Sequence, residues 1–81
     1  MAIGPREWQD GTAYVSVKPD RRGYTVGVMA TDLTGQLMLL DEFDGSHTEA
    51  VVTARRLAKM YRAVEIVHLK RNGDTSSIEH L

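Results

Sequence analysis

The sequence contains no cysteine, which excludes a disulfide framework, a thiolate metal site and a cysteine nucleophile. No apolar run reaches membrane-spanning length, and the opening Met-Ala-Ile-Gly-Pro-Arg-Glu-Trp lacks the apolar stretch a signal peptide needs. The expectation is a cytoplasmic protein with no membrane partner. Excess charge is also missing. Ten Lys and Arg stand against 11 Asp and Glu for a net charge of -1, so no global field draws the chain to nucleic acid or to an anionic membrane. There is no Gly-rich phosphate loop, no internal repeat and no low-complexity segment. With 81 residues the chain forms one domain with one small core, since a chain this short buries only roughly 60% of the surface it exposes when unfolded. That marginal core makes self-association, most simply as a homodimer, the expected way to gain stability.

What is present is organised around residues 44–70. Ser46 followed three positions later by Glu49 is a capping-box pattern, with Asp44-Gly45 turning the chain just before it. Ala50, Ala54, Leu57, Ala58 and Tyr61 recur at helical spacing and define one apolar stripe. Its three alanines suit close approach to a flat partner, a sheet. After Arg62 the pattern changes to Val64-Glu65-Ile66-Val67-His68-Leu69, a run rich in β-branched residues closed by Asn72-Gly73, which predicts a strand.

Three more strands precede the helix. Thr12 to Lys18 alternates, with Ala13, Val15 and Val17 on one face and Tyr14, Ser16 and Lys18 on the other. Pro19 to Gly23 reads as a turn in which Gly23 is free to take positive φ. Tyr24 to Thr31 places Tyr24, Val26, Val28 and Ala30 on one face, with Gly27 in mid-strand as the mark of a bulge or a close contact. Gln36 to Phe43 is apolar on both faces through Leu37, Met38, Leu39 and Leu40. The prediction is an α+β two-layer α/β domain over residues 12–73, ordered β-β-β-α-β, with a mixed four-stranded sheet in spatial order 3-2-1-4 and one helix on one face. Residues 1–11, including Ile3 and Trp8, are expected to form an irregular arm, and residues 74–81 a flexible tail able to return as a short strand. One helix covers one face, so the other must be covered by the arm, by a second copy or by a ligand.

The element order, with Glu49 near the start of the helix, resembles the front half of the ribonuclease H fold. That chemistry gathers carboxylates around Mg²⁺, whereas here the first strand offers Val15-Ser16-Val17-Lys18 and the fourth His68-Leu69-Lys70. The resemblance therefore implies a shared topology, at most an enzyme remnant. A second resemblance spans residues 17–73. Val17-x-Pro19, Gly23-Tyr24-x-Val26, Thr48-Glu49-Ala50, Ala54-Arg55-x-Leu57-Ala58-Lys59 and Ile66-Val67-His68 with Gly73 beyond are similar to a group of small bacterial domains, domain of unknown function 2188. It implies a small stand-alone domain and brings no activity with it.

The candidate site residues fall into three groups. Arg55, Arg56, Lys59 and Arg62 occupy the outer helix face and Arg21-Arg22 a turn, a set able to hold phosphates of a nucleic acid or simply to keep the surface solvated. Trp8, Met38, Leu40, Val67 and Leu69 are the candidates for self-association, Trp8 having the capping of the core as its plainer role. His47 with Asp44 could form an acid-base pair, and His47 with His68 and a carboxylate could hold zinc, but no nucleophile accompanies the first and the spacing does not support the second. Tyr14 with Lys18 on an open sheet face could stack single-stranded bases. No catalytic constellation, metal or cofactor is expected. The favoured reading is a self-associating binding module, with a nucleic-acid-binding accessory protein as the alternative.

Overall fold

The structure, a computed structural model, describes residues 7–81; the expectation for Ile3 lies outside the described residues. Six elements follow one another: β1 (Tyr14–Asp20), β2 (Gly23–Thr31), β3 (Leu37–Gly45), α1 (His47–Met60), β4 (Glu65–Leu69) and β5 (Thr75–His80). They build an α+β domain with a mixed sheet in the order β3-β2-β1-β4-β5. The antiparallel meander and the parallel β1–β4 pairing agree with the predicted order. Strand number is corrected from four to five. Thr75–His80, expected to be flexible, pairs antiparallel with β4, setting Ile78 opposite Val67 and Ser77 opposite His68. The polar composition of this segment hid the strand, because an edge strand covered by little else needs few apolar side chains.

α1 begins as its sequence dictates. The Ser46 hydroxyl accepts from the Glu49 N–H at 3.3 Å, and the Glu49 carboxylate accepts from the Ser46 N–H at 3.2 Å. At the far end Arg62 takes positive φ (52°), while Arg62 N–H donates to Lys59 C=O and Ala63 N–H to Ala58 C=O. These two bonds form a Schellman cap, with arginine where glycine is usual. Ala50, Ala54, Leu57 and Ala58 are buried, together with Thr53. Alanines bring the helix axis near the sheet, so Val15, Val26, Val28 and Ile66 beneath it are the largest side chains that are fully buried. Trp8 and Tyr61 close one end of this core with ring centroids 6.0 Å apart.

Two local features set the register. Asp32 is 6% exposed, and its carboxylate accepts from the Thr34 N–H and hydroxyl and from the Gln36 N–H, fixing the β2–β3 turn. Gly23 does not take positive φ as predicted. It is a close-approach glycine: an added Cβ would collide with the Gly45 carbonyl oxygen. The absence of a side chain lets β2 start directly against the end of β3, which sets Ser46 at the helix entrance.

Candidate functional site

The faces of the sheet differ in cover. Ala13 just before β1, Val15 and Val17 of β1, Val26, Val28 and Ala30 of β2, and Ile66 of β4 lie under α1. Alternation therefore sends Tyr14, Ser16 and Lys18, Thr25, Gly27 and Met29, and Val67 and Leu69 to the opposite face. The register continues this assignment across the sheet. Ala30 pairs with Met38 and Met29 with Leu39, so Met38 joins the helix side and Leu39 the other.

This corrects the expected self-association set. Met38 is 8% exposed and Leu40, half-buried, packs against the core, so neither belongs to the open face. The exposed leucines of β3 are Leu37 and Leu39, at 56% and 51%. Sequence reading missed them because a strand apolar on both faces carries no periodic signal. The usable signal was register, counted through the Asp32–Gly35 turn from the buried Ala30. Val67 and Leu69 do lie on the open face, joined by Ile78 of β5, which is 45% exposed. Trp8 lies elsewhere, on the end of the core.

At the centre of the open face Gly27 and Ser16 sit opposite each other, and the Ser16 hydroxyl donates to the Gly27 C=O at 3.5 Å. The missing side chain leaves a depression walled by Met29, Leu39, Leu69 and Lys18. The bulge next to it lies on β3, where Leu40 is the extra residue opposite Val28 and Met29; at Gly27 itself the neighbours are close, Ser16 Oγ lying 3.3 Å from where a Cβ would stand.

The basic residues do not form one patch. Arg21 and Arg22 make the β1–β2 turn, beside the start of α1. Arg55, Lys59 and Arg62 line a groove of about 370 Å³ on the far half of the helix, floored by Ala58, Ala63 and Ile66. A helix of 14 residues is about 21 Å long at 1.5 Å per residue, which separates the two sets. Arg55 pairs with Glu79 at 3.2 Å and Arg62 with Asp10 at 3.8 Å. Exposed pairs of this kind hold charge only loosely, and Arg56 is exposed beside them.

No family model, curated protein or solved structure matches the chain. Function therefore has to be read from these surfaces.

The histidines are brought together more closely than their separation in sequence suggests. His47, the first residue of α1, packs against Tyr24 with ring centroids 4.7 Å apart and the rings tilted by 47°, and both share a cleft with His68. No carboxylate lines that cleft; Asp20 and Asp44 line the adjoining one, which shares Tyr24 with it. Glu49 is held instead in the capping box, where the Ser46 hydrogen bonds lower its pKa. Among the described residues no helix is long and apolar enough to cross a membrane.

Proposed function

We propose that the chain is a small cytoplasmic interaction module, without catalytic activity of its own, that pairs with a second copy through its uncovered sheet face. The single observation that carries this reading is the apolar row on that face, in which Leu37, Leu39, Met29, Tyr14, Val67, Leu69 and Ile78 occupy positions that no other layer among the described residues covers. Two such faces can stack as in a β-sandwich, about 10 Å apart. Charge favours a like partner as well. The net charge of -1 gives little repulsion, and Lys18 shares the face with Glu42 and Glu65, so opposite charges are available to each other across a two-fold axis.

Area sets the strength. Five strands about 4.8 Å apart, sharing about six residues of length, give a footprint on the order of 500 Å². Stable complexes use roughly 800 Å² per partner, so the dimer is a weak one that forms reversibly. Molecular mass by sedimentation across a dilution series tests this. The expected outcome is a monomer–dimer equilibrium that Leu39→Glu shifts to monomer while leaving the unfolding midpoint nearly unchanged. A wild-type chain that stays monomeric at millimolar concentration rules the proposal out.

A second reading has one observation in its favour, the three cations Arg55, Lys59 and Arg62 along one groove. They would hold phosphates of a nucleic acid in a salt-dependent way. Binding of a mixed oligonucleotide pool at low salt, abolished when Arg55, Lys59 and Arg62 are changed to Glu, would transfer the function to the helix.

A further inference from the structure

The parallel ladder between β1 and β4 stops at Val17 and His68. Pro19, two residues on, has no N–H with which to extend it. Past that point β1 turns into β2 and β4 turns through Lys70–Asp74 into β5, and the chain separates around a cleft of about 410 Å³. Its polar side chains are Tyr24, His47, His68, Lys70, Ser76 and Ser77. Each of these can donate a hydrogen bond, Lys70 carries a fixed positive charge, and no carboxylate is among them.

The donors stand on different walls. Lys70, Ser76 and Ser77 belong to the β4–β5 hairpin, Tyr24 opens β2, and His47 opens α1 with its imidazole braced on the Tyr24 ring. Donors supplied from several walls suit a tetrahedral oxyanion better than a planar carboxylate, whose acceptors lie in one plane. Val17, Pro19 and Leu69 supply an apolar wall, and the volume leaves room for an organic group beyond the anion. We propose that this cleft binds a small phosphate monoester, the phosphate held by Lys70, the serine hydroxyls and the two imidazoles, and the organic part lying against Pro19 and Leu69. Of the apolar row on the open sheet face this site takes only Leu69, and its polar side chains lie outside that row.

The test is a titration of the full chain at pH 7, following the imidazole NMR signals of His47 and His68, with inorganic phosphate, phenyl phosphate and dimethyl phosphate as probes. Sodium chloride at matched ionic strength is the control. Both imidazoles should shift along one saturating curve, with a dissociation constant on the order of 1 mM for inorganic phosphate and tighter for phenyl phosphate. Lys70→Gln should weaken binding about tenfold, the loss of one charge-assisted contact, while Arg21→Gln, outside the cleft, should leave it unchanged. Shifts that chloride reproduces, curves that do not saturate, or different constants for the two rings would overturn the proposal. Dimethyl phosphate binding as tightly as phenyl phosphate would overturn the monoester assignment in favour of a phosphodiester. Should Lys70→Gln fail to fold, the wild-type curves decide by themselves.

Discussion

Arg62 holds positive φ at the position that ends α1, a conformation that costs a residue with a Cβ about 1 kcal/mol or more. Its side chain recovers little, since the pair with Asp10 is long and both partners are exposed. Arg62→Gly should therefore raise the stability of the fold by about 1 kcal/mol in urea denaturation. At the other end of α1, Glu49 titrates below its ordinary value because Ser46 hydrogen-bonds its carboxylate. A lowered folded pKa contributes stability that is present above the unfolded value and is lost as pH falls through the folded one. Thermal unfolding between pH 7 and pH 3 should show that loss, and Glu49→Gln should flatten it. Tyr61 behaves in the opposite sense. Burial, followed by its hydrogen bond to Asp41 at 3.1 Å and that group's charge, raises its pKa. Its contribution is complete below about pH 10, the unfolded value, and is lost as pH rises through the folded one, so Tyr61→Phe should remove that alkaline decline.

Gly23 couples the β1–β2 hairpin to the entrance of the helix through its contact with Gly45. Gly23→Ala should destabilise the domain by about 1–3 kcal/mol, the cost of forcing backbone apart in a packed site, with a matching fall in the unfolding midpoint followed by Trp8 fluorescence. At this scale the sequence was most legible where one chemical signal had one meaning. The Ser46–Glu49 box and the Ala50, Ala54, Leu57, Ala58 stripe located α1, and the alternation of Val15 with Val17 and of Val26 with Val28 oriented β1 and β2. β3 was legible as a strand but not as a face, because Leu37 to Leu40 are all apolar and only pairing with β2 distinguishes them. β5 was legible only through Gly73, since Thr75–His80 has one aliphatic side chain. Gly23 was read as a conformational glycine because sequence shows that a Cβ is missing, not which neighbour occupies its space.

Across the whole molecule, burial and exposure on β3 make opposing predictions for adjacent residues. Met38→Ala should lower stability by about 2–5 kcal/mol through the cavity it leaves and leave the association constant of the folded chain unchanged, whereas Leu39→Glu should do the reverse. Unfolding curves and sedimentation on the same two variants check both at once. The candidate surfaces were legible only in part. The cationic residues were evident, but their division between two ends of the domain depends on α1 running the length of the sheet. The convergence of His47, His68 and the β5 serines depends on a hairpin that composition concealed. The pairing of Val15 with Ile66 and Val17 with His68 also governs the order of assembly during synthesis. Strands β1 to β3 and α1 emerge before the partner of β1 exists, so the nascent meander carries an open central strand whose N–H and C=O groups are free to template another chain. Pairing of that strand waits on five residues, Glu65–Leu69, and a chain truncated before them would be prone to aggregate.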